Sequence, residues 1–292
     1  MRLAFLGSPA FAVRVLDALV DAGHDVVIVV TRPDRPKGRG RALAPTAVRE
    51  VADVRGITTA VELSALKAVD YDVGVVVAYG ELVPAEILER APLLNVHFSL
   101  LPRWRGAAPV ERAILEGDET TGVSIMALEV ALDTGPVYAT AATPVDDKSL
   151  TALRDELVDL GASLLVRLLA GGVDALPEPV PQSGEPTYAR KVSDAECELD
   201  FTRDAVQLAR VVRIGRARTW AAGRRLGVPD AVAVDGEFGA PGSFDGTVVA
   251  CGRGGLALRV VVPEGRRAMA PDAWLRGLRD GPPSRLGPPA AP

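Results

Sequence analysis

Apolar positions along the first half of the chain follow two alternating rhythms. RLAFLG (2–7) is a short apolar run closed by a glycine, positions 10–20 repeat at helical spacing, and DVVIVV (25–30) is again continuously apolar after its first residue. Two such runs around a helix-period segment make a βαβ unit. The alternation continues with a helical segment at 46–54, an apolar strand at 72–80, a short helix near 85–90 and LLNVH at 93–97. Strands that are apolar at nearly every position are buried on both faces, so the predicted class is α/β: a doubly wound, mostly parallel sheet with helices on either side.

After position 122 the runs lengthen, at 122–130 and 135–145, and a strongly periodic helix follows at 150–169. These elements predict a mixed sheet edge and a closing helix. GGVDALPEPVPQSGEPTY (171–188) is rich in Pro and Gly and has no hydrophobic period, which is linker composition. Beyond it a helix is expected at 204–213, and short strands at 246–252 and 255–263 sit between glycine turns. The organisation expected is a first domain over 1–175, a linker over 176–199, a smaller β-rich domain over 200–280 and a disordered tail over 281–292.

Composition narrows the function classes. The hydrophobic fraction of 48% and charged fraction of 24% are ordinary globular values. MRLAFLGSPAF lacks the apolar core of a secretory signal and no run is long enough to span a membrane, so a cytoplasmic location is expected. Cys197 and Cys251 are isolated from each other and from histidine, which predicts neither a disulfide framework nor a metal site. A monomer is the default expectation.

The net charge of −5 conceals a polarity along the chain: residues 200–292 hold 14 arginines against 9 acidic residues, a net +5 that leaves −10 upstream. A second basic segment, TRPDRPKGRGR (31–41), sets Arg32, Arg35, Lys37, Arg39 and Arg41 against one acid, Asp34, in a stretch broken by two prolines and two glycines. Read alone, it is an irregular loop suited either to phosphate contact or simply to solvent.

Candidate chemistry lies where polar residues interrupt an apolar strand. Asn95 and His97 fall on one face of the strand at 93–97, at its carboxyl end, where open α/β sheets bind ligands. Asp133 precedes a Thr-Gly turn after another strand, and a carboxylate near an imidazole makes an acid/base pair. Structural alternatives stand beside these readings: a loop-capping asparagine, a satisfied buried histidine and an Asx-turn aspartate. The first βα turn reads GSPAFA rather than GxGxxG, which disfavours a dinucleotide enzyme.

NVHFSLLPRWRGAAP (95–109), followed by LDTG (132–135), resembles the folate-dependent formyltransferase family, and within it the methionyl-tRNA formyltransferases. The similarity extends to GSPAFAVRVLDAL (7–19), TRPDRPKGRGRALAPTAVRE (31–50), VVVAYGELVP (75–84) and EGRRAMAPDAW (264–274), nearly the whole chain. It implies a Rossmann-like core with a C-terminal OB-like barrel that binds tRNA. It implies 10-formyltetrahydrofolate as formyl donor, methionyl initiator tRNA as acceptor, and no metal. Asn95, His97 and Asp133 correspond to the family's catalytic residues, and Ser99, Leu100, Leu101 and Pro102 to its folate-contact segment. Arg35, Lys37, Arg39 and Arg41 fall in the loop that enters the acceptor end of the tRNA, with Arg39 the expected contact. Around 214–227 the sequence departs from the family's aromatic and proline-rich pattern.

The implied reaction suits these residue types: direct attack by an amine builds a tetrahedral oxyanion and an ammonium. Asn95 and His97 can stabilise the oxygen, while Asp133 orients His97 or accepts the proton. Two rivals remain, a formyltransferase for a small amine and a non-catalytic RNA-binding protein on the same scaffold. The basic loop and basic second domain weigh against the first, and the intact Asn, His and Asp set against the second.

Overall fold

The computed structural model describes residues 1–37, 42–278, 281 and 283–287. The chain forms two compact units. One holds Met1–Val110, Thr120–Pro144 and Arg154–Arg190; the other holds Glu111–Glu119, Val145–Leu153 and the described residues from Lys191 onward. In chain order the elements are β1 (Arg2–Gly7), α1 (Ala10–Asp21), β2 (Asp25–Val30), β3 (Arg35–Lys37), β4 (Ala42–Ala44), α2 (Ala47–Val54), β5 (Thr59–Ala60), β6 (Val73–Val77), α3 (Ala85–Leu88) and β7 (Leu93–His97). They continue with β8 (Arg105–Gly106), α4 (Pro109–Glu116), β9 (Thr120–Ala127), β10 (Val137–Pro144), α5 (Leu150–Leu169) and β11 (Tyr188–Ala189).

The first unit is built on a seven-stranded sheet, counted over the described residues, in the order β10-β9-β7-β6-β1-β2-β5. Strands β5, β2, β1, β6 and β7 run parallel, whereas β9 is antiparallel to β7 and β10 to β9. All five residues of β6 are buried, as its unbroken apolar run requires, and so are all five of β7, the polar Asn95 and His97 included. One face of the sheet packs Ala4, Leu6, Ile28, Val30 and Val76 against Leu66, Val83 and Ile87 from the connecting segments. β9 and β10 are joined by the loop 128–136 with no intervening helix, as an antiparallel pair allows, whereas a parallel pair needs a longer crossover.

The loop read as irregular at 31–41 instead contains an antiparallel pair, with Arg35 opposite Ala44 and Lys37 opposite Ala42; residues 38–41 lie outside the described residues. Arg35 and Pro36 are exposed and Leu43 is 70% exposed. With Arg35, Pro36 and Leu43 turned to solvent, this short ribbon gives a hydrophobic pattern little alternation to reveal.

In the second unit, α6 (Ala205–Arg213) buries Ala205, Leu208, Val211 and Val212 at helical spacing, and Asp204 caps it by accepting from Val206 N at 2.8 Å. The sheet strands are β12 (Arg218–Ala221), β13 (Arg224–Val234), β14 (Phe244–Asp245), β15 (Val248–Ala250) and β16 (Gly255–Pro263), with α7 (Pro271–Arg276) after them. The order β12-β13-β16-β15-β14 is antiparallel throughout, a curled sheet that frames a small barrel-like domain. Its core joins Phe201, Leu208, Val228, Val249, Leu256, Val261 and Trp274.

Sequence pattern had missed β13, the longest strand. Pro229 interrupts its run and coincides with a register shift between Gly227 and Asp230, where a residue without an N–H is tolerated. The tail expected to be disordered holds an anchor: Leu286 is 1% exposed, its N–H donates to Gly242 O at 2.8 Å, and Gly287 N donates to Trp220 O at 3.0 Å. One apolar residue among prolines and glycines leaves the average composition of a segment unchanged yet fixes it in place. Among the described residues no helix is long and apolar enough to cross a membrane.

Candidate active site

β7 lies inside the sheet, and its ladder fixes its side chains. Asn95 pairs with Val76 of β6 and Met126 of β9, and His97 with Ser124 of β9. Period-2 geometry therefore sends Asn95 and His97 to one face, at the carboxyl end of the strand. Both are buried, at 9% and 5% exposure. The Asn95 amide has no hydrogen-bond partner among the described residues, which leaves its donors available to a ligand.

His97 is held at both ring nitrogens. Nε2 lies 2.9 Å from the carbonyl oxygen of Trp104, and Nδ1 lies 3.7 Å from Oδ2 of Asp133. A carbonyl can only accept, so Nε2 carries the hydrogen, and the neutral ring has its lone pair on Nδ1, toward the carboxylate. At 3.7 Å that approach is too long for a direct hydrogen bond, and it becomes an ion pair only when the ring is protonated.

The carbonyl of Trp104 reaches His97 because the backbone turns there. Trp104 has φ +63°, its N–H donates to Thr187 Oγ1 at 2.9 Å, and Arg105 N donates to Thr187 O at 2.8 Å. Next, β8 pairs with β11, Arg105 against Tyr188 and Gly106 against Ala189. Gly106 has φ +114°, and a Cβ there would sit 3.0 Å from Ala189 O, so a side chain is excluded where the two strands meet. The Gly106 N–H donates to Oδ2 of Asp133 at 2.7 Å. Trp104 is a packed aromatic, 8% exposed, with the Arg103 guanidinium 4.5 Å above its ring.

Asp133 is 7% exposed with φ +52°, a left-handed conformation uncommon for a residue with a Cβ. Two residues on, a Cβ on Gly135 would lie 1.9 Å from Ala127 O, so only glycine closes this turn. Gln182 bridges the turn: its Nε2 donates to the carbonyls of Asp133 at 2.9 Å and Gly135 at 2.8 Å. Its Oε1 accepts from Arg105 Nε at 3.0 Å and Nη2 at 2.7 Å. Gln182 and Thr187 fall in the proline-rich stretch that composition assigned to a linker, and no periodicity marked either as part of a site.

Ser99 is fully buried. Its hydroxyl donates to Arg103 O at 2.6 Å, while its carbonyl accepts from Ser124 Oγ at 2.7 Å. Ser124 Oγ also accepts from Leu101 N at 3.1 Å. These bonds fold the loop that presents Leu100, Leu101 and Pro102, all three partly exposed.

Among the basic candidates, Arg35 is exposed on β3, the Lys37 side chain is not described, and Arg39 and Arg41 lie outside the described residues. The base of this segment is braced: Thr31 Oγ1 lies 2.7 Å from Thr46 Oγ1, Arg49 pairs with Asp34 at 3.0 Å, and Arg32 pairs with Glu81. In the second unit the arginines divide into two groups. Arg210 and Arg213 donate to carbonyls of Glu116, Asp146 and Lys148; Arg216 and Arg218 reach Asp194, and Arg218 also Glu198. Arg224 and Arg225, by contrast, are exposed and have no ion pair among the described residues.

The second unit also contains an ion pair between a buried arginine and a half-buried glutamate. Arg112, 6% exposed, donates to Glu196 Oε1 at 2.7 Å. That guanidinium, with the Ser193 N–H at 2.9 Å, holds the Glu196 carboxyl down at about 2. Burial pushes the Cys251 thiol up to about 11 and raises that of Cys197, so both sulfurs are protonated.

Comparison with known proteins places residues 1–169 in the family described as "Formyl transferase". Over 303 residues the chain is 46% identical to the methionyl-tRNA formyltransferase of Novosphingobium aromaticivorans, covering 98% of this chain and all of that protein. It is 42% identical to the methionyl-tRNA formyltransferase of Ruegeria pomeroyi, covering 95% and 97% of the two chains. Among solved structures it is similar to HypX from Aquifex aeolicus in complex with tetrahydrofolic acid. That match has a TM-score of 0.66 at 16% identity; it covers 95% of this chain and 47% of HypX, so the chain spans about half of that protein, and the likeness is one of fold.

Proposed function

We infer, from the premise that the chain belongs to the methionyl-tRNA formyltransferase family, that it transfers the formyl group of 10-formyltetrahydrofolate to the α-amino group of methionyl initiator tRNA for translation initiation. The observation that carries this reading is the convergence of Asn95, His97 and Asp133 beside the carboxyl end of the interior strand β7, with Nδ1 of His97 facing the carboxylate. We take a monomer as the working unit, in the cytoplasm where the tRNA is used. Residues 1–175 carry the chemistry, braced by Gln182 and Thr187 of the connecting segment 176–199, and 200–280 the second tRNA surface.

Amine attack on the formyl carbon creates an oxyanion and an ammonium, and the two charges need different partners. The Asn95 amide, with its donors free, takes the oxygen; one such donor is worth about 3 kcal/mol in comparable sites. The ring hydrogen on Nε2 is engaged by Trp104 O, so neutral His97 offers Nδ1 as a base rather than a donor to the oxygen. Nδ1 accepts the ammonium proton and becomes an imidazolium facing Asp133, whose Oδ2 is fixed by Gly106 N–H. As the bond from carbon to the folate nitrogen breaks, the same proton passes to that departing nitrogen, so His97 ends neutral and the atoms balance. No covalent enzyme intermediate is required.

10-Formyltetrahydrofolate is a substrate, consumed at each turnover. The partly exposed, apolar Leu100, Leu101 and Pro102 suit a flat heterocycle, with Ser99 holding their loop from beneath. Arg35, Lys37, Arg39 and Arg41 provide phosphate contacts for the acceptor end of the tRNA, Arg39 foremost, and the unpaired Arg224 and Arg225 extend the basic surface on the second unit. The test is formyl transfer to methionyl initiator tRNA compared with an elongator methionyl-tRNA and free small amines. Strong preference for the initiator is expected, and equal activity on small amines overturns the tRNA reading.

A further inference from the structure

Gln182 lies in a segment whose composition is that of a linker, yet both ends of its amide are fully engaged. Its two N–H hydrogens go to two carbonyls, those of Asp133 and Gly135, and its oxygen accepts two N–H groups of Arg105. A primary amide has two donor hydrogens and two acceptor lone pairs, so this side chain is saturated and has a single orientation. The turn it grips needs such support, because Asp133 stands at φ +52° and the surroundings must hold a residue with a Cβ there. The other end of the bridge is equally specific, since Arg105 is chain neighbour to Gly106, the donor to Oδ2 of Asp133.

The backbone of Asp133 and its carboxylate are thus held by the same two-residue strand, the carboxylate directly and the backbone through Gln182. We propose that Gln182 is a positioning residue of the transfer reaction: it locks the Asp133–Gly135 turn to Arg105 and so sets the separation between the Asp133 carboxylate and Nδ1 of His97. The proposal rests on the reading of Asp133 as the partner of His97. Few residues satisfy the geometry. Glutamate keeps the acceptor for Arg105 but turns oxygen toward two carbonyls, leucine loses both ends, and asparagine is one methylene short.

The test uses the full-length protein with 10-formyltetrahydrofolate and methionyl initiator tRNA, and compares Gln182→Leu, Gln182→Glu, Asp133→Asn and the double variant Gln182→Leu with Asp133→Asn. Loss of the bridge is expected to lower kcat about tenfold or more, in line with the cost of small misplacements, while KM for either substrate stays within about twofold. The pH profile of kcat should shift relative to wild type in both Gln182 variants, because the carboxylate no longer sits at its place beside the imidazole. In the Asp133→Asn background, Gln182→Leu should change kcat less than about twofold, since the group it positions is gone. Unchanged kcat and pH profile in Gln182→Glu overturn the proposal, as does an equal loss from Gln182→Leu in both backgrounds. Should Gln182→Leu fail to fold, Gln182→Glu, which retains the Arg105 bonds, carries the test alone. If Asp133→Asn itself works at the wild-type rate, the reading of Asp133 fails, an outcome distinct from the failure of Gln182.

Discussion

Polar groups are handled differently at the end of β7 and on the surface of the second unit. Around Asp133 the carboxylate, the backbone carbonyl and the neighbouring imidazole are each met by a fixed partner between 2.7 and 3.7 Å away. Around Arg224 and Arg225, among the described residues, no carboxylate meets the guanidinium at all. A reaction that moves one proton between defined atoms needs preorganised geometry, and buried networks supply it. A polyanion is bound by mobile, unpaired charge that displaces counterions, and an arginine already in an internal bond contributes less to that. Arg210, Arg213, Arg216 and Arg218 count as basic by composition yet bind the protein's own oxygens, so a charge census overstates the basic surface.

The sharpest way to break this contrast is at the site. Asp133→Asn should lower kcat by about 10³-fold, roughly 4 kcal/mol, with folate binding retained, because the imidazolium loses its counter-charge. Equilibrium folate binding beside steady-state turnover separates the two effects. Next in size is the ion pair of the second unit: Glu196→Ala removes the carboxylate that the 6%-exposed Arg112 donates to at 2.7 Å and should cost about 2 kcal/mol in urea unfolding. That figure lies below the range for fully buried pairs because the Glu196 side chain is 28% exposed.

The same pair sets an acid limit. The folded carboxyl titrates at about 2, below its ordinary 4.5, so its stabilisation is present above about 4.5 and is lost as pH falls from there toward 2. Glu196→Gln should flatten the pH dependence of unfolding in that window, and an unaltered slope contradicts the assignment.

The surface should respond more gently. Arg224→Ala with Arg225→Ala is expected to raise KM for tRNA several-fold and to reduce the salt slope of binding by about two, one per phosphate contact, without changing kcat. Smallest of all is Arg216→Ala, whose guanidinium faces Asp194: tRNA KM and salt slope should stay at wild type. A salt slope altered as much by Arg216→Ala as by Arg224→Ala would dissolve the distinction between internally bonded and free arginines.

Much of this was legible in the residues, and the reason it was legible also explains what was not. Buried strands such as β1, β2 and β6 write themselves as near-continuous apolar runs, and against them the polar interruptions at Asn95 and His97 in β7 stand out. The partner loop is different. Trp104 contributes its carbonyl, Gly106 its N–H, and Gln182 a bridge between turns, three roles that depend on backbone direction or on contacts across 77 positions of sequence. Neither leaves a period. The antiparallel pair β3 and β4 and the strand β13 were silent for related reasons, one with Arg35, Pro36 and Leu43 turned to solvent and the other broken by Pro229 at a register shift. Positive charge was visible as a count, but which arginines already held oxygens of the same unit was not.

The central claim is that the carboxylate of Asp133 and the imidazole of His97 form one proton-handling unit in formyl transfer to methionyl initiator tRNA. Single-turnover transfer from 10-formyltetrahydrofolate, with wild type and Asp133→Asn at saturating substrates and matched salt, tests it directly. Rapid formylation by the wild type and a rate about 10³-fold lower in the variant are expected. Equal rates in the two proteins, or no formylation by the wild type, would contradict it.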